Sequence, residues 1–197
     1  MRTDSAIVAV LAGGRGTRIG GAKATVELAG RPLISHALAA ARDSGLETIV
    51  VAKAGTPLPG LAEQIVLEPG EPTHPLCGVL AALDFAAERH PSADVVLSAC
   101  DMPFLTGALL RWIGGLEGAA MAQVGGRPQP LLARCTWADR PALADALARE
   151  RPLSAALEAL EPRILDEREL GRFGSPPRLC FNVNDAQDAA RAEAWLS

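Results

Sequence analysis

The chain has 197 residues, 49% hydrophobic and 21% charged, with a formal net charge of -4. That size suits one globular domain spanning residues 1–197 with its own core, and high apolar content at so small a net charge excludes intrinsic disorder. Lys+Arg 19 against Asp+Glu 23, no Tyr and 4% aromatic residues argue against a nucleic-acid partner, which asks for a basic surplus and stacking rings.

The run Ala6–Leu11 (AIVAVL) is short, continuous and apolar, as in a strand buried on both faces of a parallel sheet. It lacks a basic n-region and ends at glycines. A signal peptide or membrane span is therefore not expected, and a cytoplasmic protein with no membrane partner is. Pro32 opens a helix through about Arg42, with Gly45 suited to its C-terminal cap. Thr48–Ala52 and Gln64–Leu67 read as further buried strands, Leu76–Arg89 as a helix and Asp94–Ala99 as a strand ending at Cys100-Asp101. This alternation predicts an α/β layer fold with a mostly parallel central sheet.

The second half is less regular. Thr106–Ile113 predicts a helix, and Ala119–Val124 with Pro130–Arg134 an antiparallel hairpin around Gly125-Gly126. Asp139–Arg149 and Leu153–Leu160 predict helices split by Pro152, and Gly171–Pro177 a loop. Asn184 to Leu196 predicts a final helix with Asn184 as N-cap. Cys77, Cys100, Cys135 and Cys180 form no C-x-x-C pair, so they read as buried apolar residues in a reducing compartment rather than metal ligands. His36, His74 and His90 carry no partner pattern, and no Ser/His/Asp or Cys/His set stands out.

The densest chemistry is LAGGRGTRIGGAK at 11–23, with five glycines, Arg15, Arg18 and Lys23 directly after a buried strand. It misses both named phosphate-loop patterns. Ile19 stands where the dinucleotide fingerprint needs glycine, and Ala22 separates Gly21 from Lys23 where the P-loop needs them adjacent. The physics does not depend on the name. Glycines let backbone N–H groups approach phosphate oxygens, and the cations can neutralise a polyphosphate. Asp101, at the carboxyl end of a central strand and followed by Met102-Pro103, would lie on the same sheet edge as that loop. A carboxylate facing a phosphate cradle calls for a cation between them, and Mg²⁺ suits that chemistry. Asn182-Val183-Asn184-Asp185 offers amides and carbonyl oxygens to a metal or phosphate, or plain capping.

LAGGRGTRIGGAK, CDMPFL at 100–105 and NVND at 182–185, with weaker matches in HPLCG at 74–78 and RPQPL at 127–131, resemble the MobA-like nucleotidyltransferases. The resemblance implies a three-layer Rossmann-like fold. It implies that Leu11, Ala12, Gly13 and Gly14 bind the nucleotide by backbone, that Arg15 and Lys23 contact the triphosphate, and that Asp101 holds Mg²⁺. Lys53 and Glu68 fall at further nucleotide-contacting positions, and Asn182 and Asn184 at the acceptor. The implied reaction moves a nucleoside monophosphate, GMP from GTP favoured, onto the phosphate of molybdopterin. Arg15, Lys23 and Asp101 would be its catalytic residues. His74 for the family's glycine and Asp185-Ala186 for Thr-Pro are departures on the acceptor side. The alternatives are cytidylyl transfer to the same pterin, guanylyl transfer to another small phosphate, and a nucleotide-binding module without catalysis.

Overall fold

The computed structural model describes residues 6–13, 23–90 and 93–196. A seven-stranded sheet runs in the order β5-β4-β1-β6-β8-β7-β9. Its strands are β1 (Ala6–Leu11), β4 (Glu47–Lys53), β5 (Gln64–Glu68), β6 (Asp94–Ala99), β7 (Ala120–Val124), β8 (Arg127–Cys135) and β9 (Arg163–Leu165). The pairs β1–β4, β1–β6, β4–β5 and β7–β9 are parallel, whereas β8 runs antiparallel to both β6 and β7. A single strand, β8, is therefore reversed. A two-stranded hairpin of β2 (Glu27–Leu28) and β3 (Arg31–Pro32) stands apart from the sheet.

Alternation along the strands divides the core in two. Ala6, Val8 and Val10 face one layer with Val50 and Val96, against α1 (Leu33–Asp43) and α3 (Gly107–Gly114). Ile7, Ala9 and Leu11 face the other with Ile49, Val51, Val95 and Leu97, against α2 (Pro75–Arg89), α4 (Arg140–Ala148) and α5 (Leu153–Glu158). All six residues of β1 are buried, as a continuous apolar run at the centre of a covered sheet requires. The result is a three-layer α/β fold. No helix among the described residues is long and apolar enough to cross a membrane.

Local chemistry sets the element ends. The His74 ring nitrogen accepts from the Leu76 amide and Pro75 occupies the first turn, which starts α2. The Thr106 hydroxyl accepts from the Leu109 amide and starts α3. The Arg111 guanidinium donates to the Asp43 and Ser44 carbonyls, closing the end of α1. The β7–β8 turn places Gly125 and Gly126 at φ +59° and +72°, the paired positive values of a tight hairpin turn.

Two expectations change at this level. Gln64–Leu67 forms a strand, but it lies at the sheet edge, with Ile65 45% and Leu67 62% exposed, because only β4 flanks it. The final helix α8 (Ala186–Leu196) is capped by Asp185, whose carboxylate accepts from the Asp188 amide, while Asp188 accepts from the Asn184 amide. Asn184 keeps its side chain for another use. The short elements β2, β3, β9, α6 (Glu167–Leu170) and α7 (Pro176–Leu179) were not foreseen.

Gly107 shows how closely the helices pack. A Cβ there would lie 2.5 Å from the Asp43 carbonyl carbon and 2.7 Å from the Ser44 nitrogen, both backbone atoms. Gly107→Ala is therefore expected to cost about 1–3 kcal/mol, a drop in Tm on the order of 2–12 °C by calorimetry. An unchanged Tm would show that α1 and α3 can separate freely.

Candidate active site

The carboxyl ends of the four adjacent parallel strands β5, β4, β1 and β6 present Glu68, Lys53, Leu11 to Gly13 and Asp101 along one edge. This is where open α/β sheets bind ligands, because the strands end there and the chain must leave the sheet. Gly14, Arg15 and Arg18 lie outside the described residues.

Lys23 opens a single 3₁₀ turn, Lys23–Thr25, just after the glycine segment. Its Nζ donates to Asp101 Oδ2 at 2.6 Å and to Asn184 Oδ1 at 2.7 Å. Three segments far apart in sequence thus meet on one ammonium group. The Val183 amide donates to the Asp101 carbonyl at 2.9 Å, tying the Asn182–Asn184 segment to the strand end. Behind this contact Trp195 packs edge to face with both Phe104 and Phe181, with Val183, Leu28 and Leu33 buried around them. This small apolar cluster seats α8 and so holds Asn184 in reach of Lys23.

Asp101 is buried, and its Oδ1 is shielded from solvent with no hydrogen-bond partner among the described residues. A buried carboxylate oxygen left unpaired is expensive unless something binds it. Among the described residues no group of three or more His, Cys, Asp or Glu side chains is placed to hold a metal alone. One carboxylate with an unpaired oxygen fits a Mg²⁺ ion that takes its remaining ligands from phosphate and water.

Glu68 sits on the other side of Gly13. A Cβ on Gly13 would lie 2.8 Å from Glu68 Oε1, and one on Gly78 would lie 2.9 Å from Oε2. The carboxylate is therefore wedged between two glycines, at the ends of β1 and in α2. Burial raises the Glu68 pKa above the usual carboxylate range, and the nearby Lys53 ammonium partly offsets this. Lys53 donates to the Gly70 carbonyl at 2.5 Å and the Thr73 hydroxyl at 3.1 Å, which anchors the 70–73 segment beside Glu68.

At the end of β1 the Ala12 amide donates to the Val51 carbonyl, and the Leu11 carbonyl accepts from the Cys100 amide. Asn182 turns its amide to the Cys180 carbonyl and does not reach Lys23 as Asn184 does. The histidines are satisfied locally: His36 meets the Leu28 carbonyl at 3.0 Å, His74 caps α2, and His90 lies 3.3 Å from Glu47. All four cysteines are free and buried, and burial pushes the Cys100 and Cys180 thiols up to about 12. Gly78 was not foreseen as a site residue. Its signal was an isolated glycine inside a helical pattern, which asks for a close-approach explanation.

The MobA-like NTP transferase domain matches residues 8–164. The chain belongs to the MobA-like NTP transferase family. It is a nucleotidyltransferase. Molybdenum cofactor guanylyltransferase of Cereibacter sphaeroides strain ATH 2.4.9 is 34% identical over 197 residues, covering 95% of each chain. The protein of the same name from Rhodobacter capsulatus is 38% identical over 109 residues, covering 52% of this chain and 54% of that one. In that alignment the chain spans about half the relative's length. Among solved structures, molybdopterin-guanine dinucleotide biosynthesis protein A from Archaeoglobus fulgidus superposes with a TM-score of 0.78 at 27% identity, covering 96% of this chain and 98% of that one. The domain match ends before Asn182, Asn184 and α8, whereas the alignment with the Cereibacter sphaeroides protein covers 95% of each chain.

Proposed function

We propose that this nucleotidyltransferase acts in molybdenum cofactor biosynthesis, moving GMP from GTP onto the terminal phosphate of molybdopterin with release of pyrophosphate and with Mg²⁺ as cofactor. The observation that carries the reading is the meeting of Lys23, Asp101 and Asn184 at the carboxyl ends of β1 and β6. An acceptor phosphate oxygen attacks the α-phosphorus in line, the bond from α-phosphorus to the bridging oxygen breaks, and pyrophosphate departs. An ionised phosphate monoester needs no general base, so the protein's task is positioning and charge neutralisation. Asp101 would hold the metal, which when bound supplies charge stabilisation at the phosphates. Lys23, with Arg15 and the amides of Gly13 and Gly14, would neutralise the leaving pyrophosphate. Leu11 and Ala12 have main-chain groups committed to the sheet, so their share falls to the Ala12 carbonyl and to shape. Lys53 would hold the wall of the base site through Gly70 and Thr73. Asn182 and Asn184 would form the acceptor side.

Glu68 supports guanine over cytosine. A carboxylate accepts from both N1–H and the exocyclic amine of guanine, while cytosine sets an acceptor, N3, against it. Gly78→Ala pushes the Glu68 carboxylate, a flexible end, rather than backbone. It is expected to weaken GTP binding about tenfold or more with stability unchanged or slightly raised, since alanine favours a helix interior. Titration of GTP alongside a thermal melt checks both halves. Because its folded pKa is raised, Glu68 adds stability below its unfolded pKa and loses it as pH rises through the folded value. Glu68→Gln should therefore keep or raise Tm at neutral pH while relaxing the preference for GTP over CTP. In the unmodified protein that preference should fade on acidification before an ordinary glutamate would titrate.

The deciding experiment measures pyrophosphate release with each of the four NTPs, with and without molybdopterin. Release with GTP and molybdopterin together supports the reading. Release with CTP and molybdopterin, or with GTP only on another phosphate, overturns the base or the acceptor.

A further inference from the structure

The Lys23 ammonium group stands on the carboxylate assigned to the metal. It lies 2.6 Å from Asp101 Oδ2 and is steadied by Asn184 Oδ1 at 2.7 Å, while Oδ1 of the same Asp101 is buried and unpaired among the described residues. A divalent cation on Asp101 would face this fixed positive charge at close range. The described residues also offer such an ion little beyond one carboxylate, since no three-membered acidic or histidine cluster is present among them.

We propose that Lys23 is a placeholder cation: in the free enzyme it neutralises Asp101 with Asn184 as its parking contact, and it gives up Asp101 when a triphosphate arrives. Metal and nucleotide then enter as a coupled pair. The triphosphate provides both the new partner for Lys23 and the missing ligands for the ion, so each raises the affinity for the other by the same factor. This rests on the reading of Asp101 as the metal ligand. It adds that Lys23 exchanges partners rather than simply waiting for phosphate. It also gives Asn184 a positioning role that precedes any contact with acceptor. The protein avoids a bare buried carboxylate in the empty state, which would otherwise oppose folding.

The test is Mn²⁺ binding, followed by the electron paramagnetic resonance of free Mn²⁺, to the intact protein with and without a GTP analogue carrying an α,β-methylene bridge. The free wild-type enzyme should bind Mn²⁺ weakly, and the analogue should tighten binding strongly. Lys23→Met should bind Mn²⁺ at least about tenfold more tightly without nucleotide, and the factor by which the analogue tightens binding should shrink by about as much. Equal Mn²⁺ affinity of free wild type and Lys23→Met overturns the proposal. So does a gain that appears equally with and without the analogue, which is only the through-space effect of one charge. Asp101→Asn in the Lys23→Met background separates the two readings. If tight binding survives there, the assignment of Asp101 to the metal fails; if it is lost, that assignment stands and the placeholder is judged on the coupling alone. A thermal melt confirms that each variant is folded, and Lys23→Gln provides the same comparison should Lys23→Met not fold.

Discussion

An Asp101→Asn enzyme is expected to turn over roughly 10²–10³-fold more slowly than wild type while keeping its fold. The argument begins with what the carboxylate touches. One oxygen holds the Lys23 ammonium and the other is buried without a partner among the described residues. Asparagine is nearly isosteric and its carbonyl oxygen can still accept from Lys23, so packing is preserved. It cannot supply a negative charge to a metal ion. The strand end is held independently through the Asp101 carbonyl and the Val183 amide, which the substitution leaves in place. The loss should appear in kcat at saturating GTP and Mg²⁺, measured by pyrophosphate release, with the melting curve little changed. Turnover within a few-fold of wild type would remove Asp101 from the reaction.

Asp94→Ala is expected to be the most damaging single change to stability, at about 3–5 kcal/mol. Arg134 of β8 is buried and donates to the Asp94 carboxylate and the Gly118 carbonyl, while its Nε has no partner among the described residues. The pair joins the reversed strand β8 to the amino end of β6, where Val96 lies opposite Arg134. Removing the carboxylate strands a cation in the core. Against a total stability of about 5–15 kcal/mol this is a large fraction. A Tm drop on the order of 6–20 °C should follow. Replacing both partners, Asp94→Leu with Arg134→Met, should recover most of the loss, because an apolar pair of similar volume is often no worse than a buried ion pair. Urea melts of the two variants decide it. If the double variant is as unstable as Asp94→Ala, the pair itself, not the stranded charge, carries the energy.

Much of the architecture could be read from the chain because its central strands are buried on both faces. AIVAVL and DVVLSA admit little else, and both form the expected strands. The hairpin was legible from Gly125-Gly126, since such a pair takes both positive φ values at low strain. Short elements escaped because three or four residues carry no period: Arg163–Leu165 becomes a strand only by lying beside β7. The site divides in the same way. Lys23 and Asp101 were readable from residue type and placement. That Lys23 also reaches Asn184 was not, because an asparagine at this place reads equally as a cap, and it is Asp185 that takes the capping role. Lys53 was placed near the site only by the resemblance, and its bonds to Gly70 and Thr73 depend on how the chain returns after β5.

The contact between Lys23 and Asn184 spans 161 positions. A chain emerging from the ribosome delivers its amino-terminal part first. All seven sheet strands have been made by Leu165, well before Asn184 and the aromatic anchor Trp195 appear. A nascent chain can therefore hold a finished sheet and an unfinished cation site at the same moment. On the placeholder reading of Lys23 proposed above, the coupling of metal and nucleotide would arrive only with the last helix.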